Sequence, residues 1–263
     1  MDVSIKKTLM LIISAMQFCS ISTALAGADD KNLGISFDAT WVSKYIWKGQ
    51  DIYDDHAAFQ PSINFDLYGT GFSANVWTTF AGGSGFRNLE EYDYSLAYSS
   101  TAFDGKKTQT DYSLTWVYYD VYDGPSRDND SQDILLDLAW PNLLGGEIVP
   151  VYQLSYYYAA KGGGAIAAAE VEGFLHIFGF DYDLPFLEIV DNPLTFSWDI
   201  AYNDGQGSSS YDHDWAYITW GLSTSLDAGG GTLTPALFYQ TSMDKSVNPE
   251  DEFWVGVSYG FVF

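Results

Sequence analysis

The sequence predicts an all-β fold: a transmembrane, antiparallel, up-and-down β-barrel of about twelve strands, with short periplasmic turns and longer extracellular loops. Three observations carry that expectation. Apolar and polar side chains alternate with a period of two along most of the chain. The spacers between alternating segments are by turns short and glycine-rich, then long and polar. Aromatic residues, 17% of the chain, gather near segment ends, where amphipathic rings favour the headgroup level of a bilayer.

Composition narrows the class. Acidic residues outnumber basic ones 35 to 11, for a formal charge of −24, and no basic stripe exists. Nucleic acid is therefore excluded as an expected partner, since phosphate binding requires clustered Lys and Arg. A disordered acidic chain would lack aromatic residues, whereas this one has 20 Tyr, 17 Phe and 9 Trp. Such a chain has the means to order itself.

The N-terminus reads as a secretory signal peptide over residues 1–26. Lys6 and Lys7 supply its positive region, Leu9 to Phe18 its apolar region, and Ala24-Leu25-Ala26 its cleavage site. The apolar run is shorter than the roughly 20 residues of a spanning helix. Cys19, the one cysteine, lies inside this segment, and bulky Phe18 before it argues against lipidation. Residues 27–263 form the expected barrel domain.

Along that domain the alternating segments run approximately 35–48, 59–67, 72–80, 91–101, 108–120, 132–140, 148–159, 170–182, 194–203, 215–226, 233–241 and 253–263. Each is near the length a tilted membrane strand needs. Phe59, Ile63, Phe65 and Leu67 share one face of the second; Phe253, Val255, Val257, Tyr259, Phe261 and Phe263 share one face of the last. Tyr68–Gly71, Asp104–Lys107 and Asp227–Thr232 suit tight turns, while residues 49–58, 81–90, 121–131, 206–214 and 242–252 are longer and polar. A soluble sandwich would alternate too. It would, however, scatter Lys and Glu over an outer face, whereas here the charged residues sit opposite the apolar face. In hydrocarbon an open sheet edge is excluded, so the first and last strands must pair.

Two stretches fit less well. Glu172 and His176 fall on the same face as Phe174, Phe178 and Phe180, which a β-bulge would relieve. Residues 160–169, Gly-rich then Ala-rich, suit either a loop or a strand extension, and 183–193 is long for a turn. The strand number accordingly spans ten to fourteen.

If the polar face is luminal, the candidate pore-lining residues are Asp38, Lys44, Lys48, Asp66, Asp93, Asp111, Asp133, Asp137 and Asp199. Inward aspartates favour cations, although any barrel interior must be polar. Twelve strands lie between the filled eight-stranded barrel and the open porins of 16–18, and Trp77, Tyr119 and Tyr157 would narrow the lumen further. The acidic loops Asp51–His56, Arg127–Asp130 and Tyr211–Asp214 match no calcium-loop spacing and read as solvated. No metal, cofactor or catalytic group is expected: of His56, His176 and His213 only His176 falls on a strand, without a serine among its same-face neighbours. No nucleotide-binding or hydrolase motif appears.

Residues 41–50, Trp-Val-Ser-Lys-Tyr-Ile-Trp-Lys-Gly-Gln, followed by Phe59-Gln60-Pro61, resemble the TorF family of outer-membrane porins. That family carries an S-[DK]-Y-x-[WF]-[RK]-G stretch before a polar loop and an alternating strand. Residues 71–77 and 91–94 continue the likeness through about the first 120 residues. It implies an outer-membrane barrel acting as a porin and transfers no binding residues. The aromatics on alternate positions up to Phe263 similarly resemble the C-terminal signature of bacterial outer-membrane barrels. That resemblance implies recognition by the barrel-assembly machinery through the last strand. Beside the motif, Tyr45 and Trp47 read as girdle residues, Gly49 as the start of the first outer loop, and Lys44 and Lys48 as inward cations balancing luminal acids. The expected function is passive diffusion of small solutes or ions, with cation preference, across the bacterial outer membrane, whose lipid surrounds the barrel. A closed structural or surface-interaction barrel and a lipid-modifying barrel enzyme are the alternatives.

Overall fold

The alternating segments become one continuous wall. The computed structural model describes residues 32–145, 148–189 and 192–263, so the signal peptide expected over residues 1–26, with Cys19, lies outside the described residues. Twelve strands of the described residues form the wall: β1 (Gly34–Val42), β2 (Ala58–Asp66), β3 (Phe72–Thr78), β4 (Tyr92–Ala102), β5 (Thr110–Asp120), β6 (Ser131–Ala139), β7 (Ile148–Ala159), β8 (Gly173–Ile189), β9 (Asn192–Asp204), β10 (Asp214–Ser223), β11 (Gly231–Ser242) and β12 (Glu252–Val262). Each pairs antiparallel with its sequence neighbours. β1 closes the barrel by pairing with both β2 and β12, so that Phe37 stands between Ile63 and Phe261. The Phe263 N–H donates to the Ile35 carbonyl at 2.9 Å, which continues the seam past the last strand residue. Closure satisfies the backbone groups that an open edge would leave bare.

Both ends of the barrel keep their expected character. Loops 1 to 6, residues 43–57, 79–91, 121–130, 160–172, 205–213 and 243–251, gather at one end, and the shorter connections gather at the other. Outward positions are apolar and solvent-facing in the isolated chain, for example Phe59, Leu96, Leu114 and Phe253. Inward positions are polar or small toward the short turns, and toward the long loops they include the buried rings of Trp77, Tyr119, Tyr157, Phe238 and Trp254.

Three expectations are corrected, and the alternative left open at 160–169 is decided. The first segment, read as a strand over 35–48, leaves the wall after Val42. Ile46–Trp47 pairs with Gln50–Asp51 in a separate hairpin, and the shared parity of Trp41, Tyr45 and Trp47 cannot tell one strand from two. Residues 170–182 contain no bulge. The pairing of β7 with β8 is continuous from Gly173 to Tyr182, and the β8–β9 register shifts only between Leu184 and Glu188. The 160–169 stretch is loop with one helical turn, Ala165–Ala168. The long spacer at 183–193 is strand on both sides, with β8 reaching Ile189 and β9 starting at Asn192.

Candidate functional site

Strand alternation delivers a row of carboxylates to the lumen. Asp38, Asp66, Asp93, Asp111, Asp133, Asp137 and Asp199 all occupy inward register, as the spacing predicts. Several are tied to neighbours: Thr40 donates to Asp38 at 2.7 Å, Thr101 to Asp111 at 2.7 Å, and Ser113 and Gln153 to Asp137 at 3.0 and 2.6 Å. Asp66 instead caps the turn to β3, accepting from the Gly69 N–H at 2.7 Å. Asp181 on β8 joins the row. The sequence carried a signal for it, because Gly173, Gly179 and Asp181 share the face opposite the phenylalanines. Acids crowd the arc from β4 to β9. The remaining arc presents mainly neutral polar groups, including Thr234, Ser258, Ser62, Asn64 and Asn75.

Lys44 and Lys48 reach the interior by a different route from the one expected. They stand on loop 1, which folds inward instead of projecting outward. Trp47-Lys48-Gly49-Gln50 make a tight hairpin turn with φ of 49° at Lys48 and 86° at Gly49, the two consecutive positive values of a type I′ turn. Gly49 is required twice over there. A Cβ on it would lie 2.4 Å from Cδ1 of Tyr217. Tyr45 and Trp47 are not girdle residues either: Tyr45 is buried against Tyr53 and Trp77, and Trp47 packs edge-on to Tyr119 and Tyr157. Their amphipathic rings find an apolar, partly polar environment inside the barrel in place of the headgroup zone.

Loop 1 touches each of the buried clusters inside the long-loop half. Tyr45 and Tyr53 pack with Val42, Ala58 and Trp77; Ile46 packs with Ala236, Phe238 and Trp254. Trp47 lies on Val117, Tyr119, Tyr157 and Val171, and Gly49 abuts Tyr217 of the Leu175–Ile177 cluster. Polar ties fix it from several sides. The Gly49 carbonyl accepts from Gln240 at 2.8 Å and from Asn248 at 3.0 Å, Tyr211 donates to Gln50 at 2.9 Å, and Tyr45 donates to Glu91 at 3.0 Å. Burial pushes the Glu91 carboxyl up to about 7.

Its tip crosses the lumen. Lys48 donates to Asp133 of β6 at 2.6 Å and to Ser155 of β7 at 2.9 Å, with its ammonium 4.7 Å from the Trp47 ring centroid and 4.6 Å from that of Tyr157. Ser155 in turn donates to Asp133 at 2.8 Å and accepts from Gln206 at 2.7 Å. Lys48 is 6% exposed and Asp133 0%. In the closed order of strands, β7 stands six places from β1, directly opposite the strand from which loop 1 departs.

Nearer the rim, Lys44 bonds Glu252 at 2.8 Å and also Asp55. Burial lowers the Lys44 ammonium, but these two carboxylates outweigh it and hold the group above its ordinary range. Asp51, Asp55 and Glu252 come within 4.8 Å of one another, yet Lys44 already supplies the countercharge, and Asp51 caps its own turn by accepting from the Tyr53 and Asp55 N–H groups. The other acidic loops are also tied internally: Tyr118 donates to Asp130 at 2.5 Å, and His213 pairs with Asp204 at 2.6 Å. His176 faces outward, its Nδ1 2.9 Å from the Tyr152 hydroxyl.

A cavity of about 530 Å³ opens in the short-turn half, lined by Asp38, Ser62, Asn64, Asn75, Thr234 and Ser258 and bordered by the Asp227–Gly231 turn.

No protein-family model and no curated protein matches the chain. Solved structures of the same fold do. One is described as the KdgM porin, with a TM-score of 0.50 and 11% identity over 87% of this chain and 99% of that one. Another, described as the NanC porin, gives a TM-score of 0.50 and 10% identity over 86% of this chain and 98% of that one. At such identities the likeness shows the fold alone: a closed, twelve-stranded antiparallel barrel.

Proposed function

We propose that the protein is an outer-membrane porin-like channel for passive diffusion of small solutes, with a preference for cations. The observation that carries this reading is the inward row of aspartates on a closed, outwardly apolar barrel, answered by the loop-borne Lys44 and Lys48. Inside a narrow, low-dielectric lumen such a row concentrates cations and repels anions. The likeness in fold to two solved porins and the likeness of residues 41–50 to the TorF family support the same assignment. The reading includes removal of residues 1–26, residence in outer-membrane lipid and delivery to the assembly machinery through the strand ending at Phe263. Planar-bilayer recordings under a KCl gradient test it. The expected reversal potential has the sign of K⁺ preference, and a potential of Cl⁻ sign, or no conductance steps under any condition, overturns it.

The seated loop 1 favours a second reading, a closed barrel whose long loops meet other surfaces. Liposome swelling separates the two, because a closed barrel admits neither sugars nor amino acids.

A further inference from the structure

The pocket that holds the Lys48 ammonium has more to it than a salt bridge. Its charge comes from Asp133, its neutral acceptor from Ser155, and its aromatic faces from Trp47 and Tyr157. A carboxylate and a hydroxyl at hydrogen-bond distance, flanked by rings within 5 Å, are the groups that recognise an organic ammonium. We propose that this pocket is a binding site for primary organic ammonium solutes, which loop 1 fills with its own lysine until a solute takes its place. The inference rests on the channel reading and names a class of solute for it.

Three features support it. Most of the pocket belongs to the wall: Asp133, Ser155 and Tyr157 stand on β6 and β7, and only Trp47 belongs to loop 1 and leaves with it. Gln206 donates to Ser155, which turns the serine hydroxyl toward Asp133 and leaves its lone pair for an incoming N–H. Finally, withdrawal of loop 1 takes from Asp133 its one ammonium partner among the described residues, so withdrawal is coupled to the arrival of another cation. The donor set also selects. One carboxylate and one hydroxyl are too few oxygens for Ca²⁺ or Mg²⁺, and a quaternary ammonium has no N–H for Asp133 or Ser155.

The test compares Lys48→Asn, Lys48→Met and Lys48→Asn/Asp133→Asn with the unaltered protein, using 1,4-diaminobutane as probe and tetramethylammonium as control. Asn suits the positive φ at position 48, and Met keeps the bulk of the side chain should Asn fail to fold. Single-channel current and thermal unfolding in detergent are read in parallel. Either single variant is expected to conduct several-fold more than the unaltered protein. Diaminobutane is expected to block it and raise its Tm, with at least tenfold weaker block and no Tm shift once Asp133 is also replaced. Equal effects with and without Asp133, or equal effects of tetramethylammonium, overturn the site. A diaminobutane Tm shift that depends on Asp133 in a protein that never conducts upholds the site and removes the channel reading. Conduction without any such shift or block does the reverse.

Discussion

The two halves of this barrel solve the same problem in opposite ways. Both are closed by the same strands and carry polar residues on the inward register. In the long-loop half the space is filled by loop 1, whose Tyr45, Ile46, Trp47 and Gly49 each enter a different buried cluster. In the short-turn half Asp38, Ser62, Asn64 and Asn75 face a cavity of about 530 Å³. The wall alone therefore does not decide whether a twelve-stranded barrel is filled. Eight strands are plugged by their own side chains and 16–18 are not. At twelve, a single inserted hairpin makes the difference, and it does so only over the depth it reaches.

The Lys48–Asp133 pair bears most directly on that contrast. Breaking a buried ion pair from one side leaves an uncompensated charge. Lys48→Ala is expected to lower stability by about 3–5 kcal/mol, measured by urea unfolding in phospholipid vesicles with tryptophan emission. Lys48→Met combined with Asp133→Leu should recover most of the loss, because both charges go together. If the double variant is as unstable as the single one, packing rather than charge seats the loop.

Gly49→Ala tests packing at the hairpin tip. It combines a positive φ with a Cβ placed against the Tyr217 ring, for an expected cost of about 1–3 kcal/mol. Tyr217→Ala in the same chain should remove the steric part and leave the backbone part. A fully tolerated Gly49→Ala would mean that the tip does not rest on β10.

The halves also differ in how much of them the sequence disclosed. Strand number, face and closure followed from alternation and spacers, because a period of two fixes direction residue by residue. Asp38, Asp66, Asp93, Asp111, Asp133, Asp137 and Asp199 share the register opposite the outward phenylalanines. Loop 1 escaped the same logic. Trp41, Tyr45 and Trp47 share one parity past the end of β1, and that shared parity does not mark the departure from the wall at Ser43. The one local signal was Lys48-Gly49, a turn pair that an I′ hairpin accepts. By itself it suits the mouth of an outer loop, because insertion is a tertiary outcome, set by partners such as Asp133, Gln240 and Tyr217, far away in sequence. Likewise, Tyr45 and Trp47 look the same in a girdle as in a core. His176 fell where its register put it, outward, with the Tyr152 hydroxyl as the partner that makes the position tolerable.

pH should act on the filled half through Glu91. Its carboxyl, raised to about 7 by burial, holds a proton in the folded state that an exposed glutamate sheds near 4.5. The contribution is therefore fully present below that lower value and is lost as pH rises through about 7. Unfolding at pH 5 and pH 8 is expected to show lower stability at pH 8. Glu91→Gln, which keeps the acceptor for the Tyr45 hydroxyl without titrating, should flatten the difference. An unchanged slope in that variant would place the titrating group elsewhere.

The smallest effect is expected in the open half, where it is also the most informative about function. Asp38 is only partly buried, its neighbours are small and polar, and Thr40 is its partner. Asp38→Asn keeps the shape and removes the charge, so stability should move by no more than about 0.5 kcal/mol, as for an ordinary surface substitution. Its effect on selectivity follows from width. Across a water-filled cavity a charge is screened within about 10 Å at 0.1 M salt, so Asp38→Asn should shift the reversal potential less than Asp137→Asn, whose carboxylate sits on the crowded acidic arc. The shift from Asp38→Asn should also vanish first as salt is raised. If Asp38 instead dominates selectivity at all salt concentrations, the narrow point of the pathway lies at the short-turn end, and the roles assigned to the two halves must be exchanged.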